Sequence, residues 1–447
     1  RLEIKARIAA CIFIMALSKQ QIKQIQKQYP QKSIEIIAQE FRLPPRHIYK
    51  ALGLHRELFQ YRLEKAAQYI TIFIFVCVPF VFIRGISDYA DLPQRVFIQT
   101  GVIFLLVLCA VRVMAERQLI ILKNMLVPLC LMFALWVCIT VFWAQSKYEG
   151  FYSALHWSAG VLIFCAFIIL LRKDTTIPVF LYGLCWAITG TVLLGLSQKF
   201  FGFHFIPQST SPAAGFANAN VAAEYVSLTM PVIMGVGWYR KQKVVLLYAC
   251  LFIVFLSGVF LFYTNCRAAW VALCCSGIWA AVLIMKQRLK ETLFQRLIMA
   301  AVVVGVILCG IAFTTGMFTK VVRLAGGSAQ YRIFVWENSS AMLRDKPVQG
   351  FGAGGFKIFY PGYKNKAIVD MAFDKSKQIR RAHNDYIQIA VETGIPGLLL
   401  FAGILGYGLV VAWRFVGPRQ VFQYTPLVIG VSAGLVSFMV TAFFGFP

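Results

Sequence analysis

The sequence predicts an all-α fold, a polytopic helical membrane protein of about eleven spans. Three observations carry that expectation. The 447 residues are 59% hydrophobic and 14% charged, with mean hydropathy +0.71; soluble domains carry roughly 25% charged residues. Apolar runs of about 20 residues recur along the chain, the length that crosses a bilayer as helix. The runs are too continuous for barrel strands, and lipid tolerates only helices or closed barrels.

The first segment, residues 1–66, holds thirteen Lys/Arg against five Glu and reads as a cytoplasmic basic helical unit. Met15 precedes Ala-Leu-Ser-Lys-Gln as a candidate start, with residues 1–14 as upstream sequence. Ser18 suits the cap of a helix over 19–29 that Pro30 ends. Ser33 starts a second helix with Ile34, Ile37 and Phe41 on one face, and Pro45 fits the first turn of a third helix ending near Leu52-Gly53. Residues 18–54 thus resemble a helix-turn-helix unit, which would aim Arg46, His47 and Lys50 at a DNA groove. The alternative is a basic three-helix cap on anionic headgroups or a partner protein. Tethering to a membrane bundle argues against nucleic acid as the partner.

The remainder, 67–447, is the transmembrane domain. Its spans are placed at 68–84, 96–114, 125–144, 156–171, 177–198, 221–239, 244–263, 268–285, 297–316, 393–413 and 424–446. The chain ends at Phe446-Pro447 with no polar tail, so a longer protein with twelve spans is also an expectation. Short loops bearing Arg117 and Lys123, Arg172-Lys173, Arg240-Lys241-Lys243, Lys286 to Arg296, and Arg414 and Arg419 alternate with loops poorer in basic residues. The basic side is cytoplasmic by the positive-inside rule. The loops 199–220 and 317–392 then face the periplasm, the latter with twelve Lys/Arg against six acids. Eleven of the twelve cysteines lie in or beside apolar spans, Cys11 being the exception, and read as small buried hydrophobes with no metal spacing.

Three outer elements carry chemistry. Ala214 to Asn220 offers Asn218 and Asn220 at a span entrance, as substrate-binding amides or as a helix cap, and Glu224 follows. Thr264 to Trp270 places Arg267 at membrane level, where an arginine has a partner or a ligand more often than not. In the large loop, Tyr331 to Asn338 reads as a helix with Arg332 and Trp336 on one face. The glycines of 350–355 allow tight turns and close approach to a ligand, but no Gly-Lys-Ser/Thr follows to make a phosphate loop. Tyr360-Pro361-Gly362-Tyr363 and a lysine-rich stretch lead to Arg380-Arg381-Ala382-His383-Asn384-Asp385-Tyr386. His383 beside two arginines suits chemistry on phosphate-bearing substrates; the bland alternative is a structural hydrogen bond at the end of the loop. His156 and His204 read as an interfacial and a loop residue.

Taken together, Asn218-Ala219-Asn220, Cys266 to Trp270, Arg332 with Trp336, Gly350-Phe351-Gly352, Tyr360 to Tyr363 and Ala382 to Tyr386 with Glu392-Thr393-Gly394 and Gly397 resemble the O-antigen ligase and polymerase superfamily over residues 68–447. Ala268 departs from that pattern, where many relatives carry glycine. The resemblance implies a glycosyltransferase C-type membrane enzyme with a large periplasmic loop, needing neither metal nor cofactor. It implies transfer of a glycan from an undecaprenyl-pyrophosphate carrier to lipid A core or another glycan, with inversion, on the periplasmic face of the bacterial inner membrane. Arg267 and Arg332 match the essential arginines and His383 the essential histidine. Arg380 or Arg381 would add to pyrophosphate binding; Asn218, Asn220, Tyr363 and Asn384 would contact substrate. A polymerase or a protein transferase of the same superfamily fits equally, and a small-anion transporter is the rival of another class.

Overall fold

The computed structural model describes residues 19–29, 31–86, 88–116, 125–170, 176–203, 205–289, 327–364, 379–417 and 423–444. Within them the fold is all-α, and ten helices are long and apolar enough to cross a membrane. The expected span at 297–316, the Ser18 cap, His204, residues 1–14 and the chain end lie outside the described residues.

The amino-terminal unit is three short helices, α1 (Lys19–Gln28), α2 (Ile34–Glu40) and α3 (Pro45–Ala51). Ser33 caps α2 by accepting from the Ile36 amide, and Pro45 occupies the first turn of α3, where a missing N–H costs nothing. Ile25, Ile34, Ile37, Ile48 and Tyr49 close a small core with Leu58. Leu58 belongs to α4 (His55–Cys77), which carries the first span. That helix starts well before the expected 68, because residues 55–67 contain no Gly or Pro and Leu58, Leu63 and Ala67 are buried.

The bundle continues with α5 (Asp91–Glu116), α6 (Leu126–Thr140), α7 (Lys147–Leu170), α8 (Thr176–Phe200), α9 (Ala219–Tyr239), α10 (Val244–Thr264) and α11 (Arg267–Arg288). The large loop contributes α12 (Gly327–Asp345) and the single turn α13 (Phe356–Phe359) before α14 (Asp385–Phe415) and α15 (Thr425–Phe444). Side chains such as Val245 and Phe255 stay 85% and 65% exposed, as befits faces turned to lipid. Where helices meet, small residues bring backbones together. A Cβ on Gly235 would lie 2.7 Å from the Pro426 carbonyl, and one on Gly430 would lie 2.7 Å from that of Pro231. Thus α9 and α15 touch backbone to backbone.

The ends alternate as the charges predict. Lys286, at the end of α11, donates to the Trp413 carbonyl of α14 and sits 4.2 Å from its ring. At the other end, Gln94 donates to the Gly215 carbonyl and Arg381 meets Asp91, so the loops before α5, α9 and α14 share one mouth. The ten described cysteines are all free.

The α14 helix begins at Asp385, ahead of the expected 393, because Asn384 caps it: its Oδ1 accepts from the Ile387 amide at 3.0 Å. A kink follows at Gly394 (φ 72°) and Pro396. Three backbone groups around the kink find partners elsewhere in the chain. Phe351 N donates to Val391 O at 2.9 Å, Ile395 N to Pro347 O at 2.8 Å, and Trp136 Nε1 to Thr393 O at 2.7 Å. The glycine loop therefore serves the kink. A Cβ on Gly350 would fall 2.5 Å from Glu392 O, and one on Gly352 would fall 2.6 Å from the Ala144 backbone. The close approach expected toward a ligand is instead an approach to the protein's own chain.

Candidate functional site

Local turns present the three motif residues. The α10 helix stops at Asn265, which takes the left-handed conformation (φ 54°) that Asn tolerates. Arg267 then opens α11 with an exposed side chain. Arg332 is half-buried on α12. That helix is pinned by Trp336, whose Nε1 donates to Ala382 O at 3.0 Å and whose ring packs 5.3 Å from Phe443. Ala382 N donates to Gln388 Oε1 at 3.1 Å, so the residue before His383 is held on both sides. His383 itself adopts φ 54°, a conformation non-glycine residues rarely take and one that recurs at functional sites. Its ring lies 6.4 Å from that of Tyr331.

These groups share one electrostatic neighbourhood. Burial pushes the His383 imidazole down to about 4, and the positive charges of Arg332 and Arg381 push the same way. The ring is therefore neutral near pH 7, the form that can accept a proton. Burial also lowers the Arg332 pKa, as does Arg267, while Cys266 and Glu224 oppose the shift. A guanidinium starts so high that it stays charged regardless. Arg332 is the hub: it lies in the field of Arg267 and acts on His383.

Beside this cluster opens a polar cavity of about 540 Å³. Five helices line it with residues at helical spacing: Asp91 and Arg95 of α5; Glu149, Tyr152, His156 and Trp157 of α7; Glu224 of α9; Asp385, Gln388 and Glu392 of α14; Thr441 of α15. Asp88, Lys357, Arg380 and Arg381 close its mouth. Arg381 and Arg95 share Asp91, at 3.3 and 2.8 Å. Lys357 meets Glu149 at 2.6 Å. Glu392 accepts from Gly354 N at 2.9 Å and from Gln388 Nε2 at 3.3 Å.

Of the residues expected from sequence, Arg380 and Arg381 line the cavity, whereas Arg267, Arg332 and His383 stand beside it. Glu224 joins the two groups, lining the wall and acting on Arg332. Asn218 is the cap of α9, its Oδ1 accepting from the Asn220 amide at 2.8 Å; neither Asn reaches the cavity wall. Tyr363 packs on Phe351 and donates to Asp345, which pushes its hydroxyl up to about 12, and it too stands away from the wall. Asn384 is fully buried; its Oδ1 caps α14, while its Nδ2 has no hydrogen-bond partner among the described residues. Sequence reasoning missed Tyr152, Trp157 and Lys357, and left Asp385 in its motif without a role. The available signal was polar and aromatic residues recurring every three or four positions at the outer ends of spans, as in Glu149, Tyr152, His156 and in Asp385, Gln388, Glu392.

Comparison with known proteins bears on the same region. Residues 252–402 match the family model described as O-Antigen ligase, a stretch that contains Arg267, Arg332, Arg380, Arg381 and His383. A protein of Rickettsia conorii (strain ATCC VR-613 / Malish 7) named "Putative polysaccharide ligase" is 32% identical over 75 residues. That match covers 17% of this chain and 18% of the relative, so the chain spans well under two thirds of its length. Across residues 252–402 this multi-pass membrane protein is similar to the O-antigen ligase family, the one that its motifs resemble.

Proposed function

We propose that the protein transfers a glycan from an undecaprenyl-pyrophosphate carrier to a hydroxyl of lipid A core or another glycan, with inversion, at the periplasmic face of the bacterial inner membrane. The observation that carries this reading is the cluster in which neutral His383 lies in the fields of Arg332 and Arg381, and Arg332 in that of Arg267, beside a polar cavity. The periplasmic side rests on the charge bias of the short loops.

The chemistry follows from the groups. Departure of a lipid pyrophosphate develops negative charge where water is scarce. Arg267 and Arg332 can pair with its oxygens in bidentate fashion and cannot lose their protons at working pH. Cations held in place before reaction need no reorganisation and lower the barrier by about 3 kcal/mol in comparable sites. His383 takes the proton of the attacking hydroxyl as the new glycosidic bond forms. Attack from the face opposite the leaving group inverts the anomeric centre. Arg381 steadies the mouth while bound to Asp91. The reaction in this scheme draws on side chains alone.

The test is transfer by purified protein in lipid bilayers, with lipid-linked oligosaccharide as donor and lipid A core, a second lipid-linked repeat or an acceptor protein offered separately. The acceptor that is glycosylated distinguishes ligase, polymerase and protein transferase. His383→Ala, Arg267→Ala and Arg332→Ala are each expected to abolish transfer while still inserting. Full activity in all three overturns the assignment, and solute accumulation without glycan transfer would favour the transporter.

A further inference from the structure

The acids around the cavity are not alike. Asp91 is shared by Arg95 and Arg381, Glu149 is paired with Lys357, and Glu392 is bound by Gly354 and Gln388. Asp88 Oδ1 accepts from the Asp91 amide at 3.0 Å. Glu224 acts on Arg332. Each of these five has an evident engagement within the protein. Asp385 differs. It is 7% exposed, lines the cavity, and its Oδ1 accepts no hydrogen bond among the described residues. Burying a carboxylate oxygen without a donor is costly, and native structures rarely leave one so unless something else supplies the donor.

Its placement is specific. Asn384 caps α14, so Asp385 is the first residue of that helix and shares a face with Gln388, Ile389 and Glu392, all on the cavity wall. It is two residues from His383 in sequence, and Arg381 is its charged neighbour. The carboxylate torsion of an aspartate is soft, so a small rotation turns either oxygen toward the cavity. The same cavity is lined by Tyr152, which lies under the Arg95 guanidinium, and by Trp157, which packs on Phe133 and Phe401; both rings add apolar wall of the kind a sugar's C–H groups meet. A site with aromatic walls, a cavity of a few hundred Å³ and one unsatisfied carboxylate is built for a polyhydroxylated ligand.

We propose that Asp385 is a specificity-determining residue of the acceptor site, receiving a hydrogen bond from a hydroxyl of the acceptor sugar and so turning the attacking hydroxyl toward His383. The proposal rests on the glycan-transfer reading and deepens it: the cavity takes the acceptor saccharide, while the arginine cluster beside it takes the diphosphate. No bond is made or broken at Asp385; the attacking hydroxyl's proton goes to His383.

The test uses the full chain in lipid nanodiscs with lipid-linked oligosaccharide as donor and glucose-terminated lipid A core as acceptor, together with monodeoxy derivatives of that terminal sugar. For Asp385→Asn, a roughly tenfold rise in acceptor KM is expected, with donor KM unchanged, because one carboxyl oxygen is replaced by an amide NH2 that cannot accept the hydroxyl's hydrogen bond. One deoxy acceptor should cost the wild type the same factor and cost Asp385→Asn nothing further. Asp385→Glu should recover part of the lost affinity. The deoxy series on the wild-type chain reads the contact even where a variant fails to insert: equal KM for every derivative overturns the proposal. So does a fall in kcat with unchanged acceptor KM, which would make Asp385 part of the chemical step. If the wild type transfers and Asp385→Asn matches it, only this inference falls; if the wild type transfers to none of the three acceptor classes, the glycan-transfer reading falls with it.

Discussion

Single residues set the proposed chemistry. The neutral imidazole is a consequence of place: His383 is half-buried in the fields of Arg332 and Arg381, and both burial and positive charge disfavour a second proton. Because the ring holds its extra proton only near or below pH 4, kcat/KM for transfer should be flat from about pH 5 to pH 8 and fall as pH drops toward 4. A profile centred on the ordinary histidine pKa would contradict the arrangement described. His383→Ala should lower kcat by about a hundredfold to ten-thousandfold, the range for losing a positioned base. Arg332→Lys keeps the charge but loses the planar fork, so transfer should still fall by about a hundredfold, read as kcat/KM for the donor. The residue types were legible from sequence: an Arg at a span entrance is expensive, and a His flanked by Arg is uncommon. Asn384 was not legible in the same way, since an Asn in a motif reads alike as ligand and as helix cap until the Ile387 amide is seen to point at it.

The elements carry the precision of the site. The α14 helix ends its first section at Gly394, which has φ 72°, where a Cβ would lie 1.9 Å from the Val348 carbonyl. Gly394→Ala should therefore destabilise the protein by about 3 kcal/mol or more, or prevent the loop from docking, measured by thermal unfolding in detergent. Trp136→Phe removes the donor to Thr393 O while keeping the ring, and should cost about 1–3 kcal/mol by the same measurement. The glycine loop illustrates why spacing alone misleads. Three glycines with φ of 63°, 86° and 69° at 350, 352 and 354 announce tight turns and close contact, but not with what. The partner proved to be α14 and the α6–α7 corner, elements that lie far from the glycines in sequence. The start of α14 was likewise hidden, because Asp385, Gln388 and Glu392 look too polar for a span until the fold is seen to bury or engage them.

At the scale of the molecule, a basic three-helix unit is joined to the bundle by the continuous helix α4. The unit has its own core and shares Leu58 with the bundle helix. We expect deletion of residues 1–53 to leave glycan transfer unchanged in reconstituted protein; a loss of kcat would show that the unit acts on the site. The loops at the mouth interlock through Gln94 with Gly215 and Arg381 with Asp91, which ties the large loop to the first spans.

Hydropathy and charge settled the class of fold, most of the spans and the alternation of their ends, because transfer of a side chain into lipid is a local property of composition. The cost of a charge at membrane level also marked Arg267, whereas Arg332 and His383 stood out through their motifs and the family resemblance. The tertiary structure decided which polar faces meet. The cavity draws on α5, α7, α9, α14 and α15, and its unsatisfied Asp385 becomes visible only when every neighbouring acid is seen to be engaged. Hydrogen bonding across a bundle depends on how helices distant in sequence pack and rotate, and that information is spread over all of them.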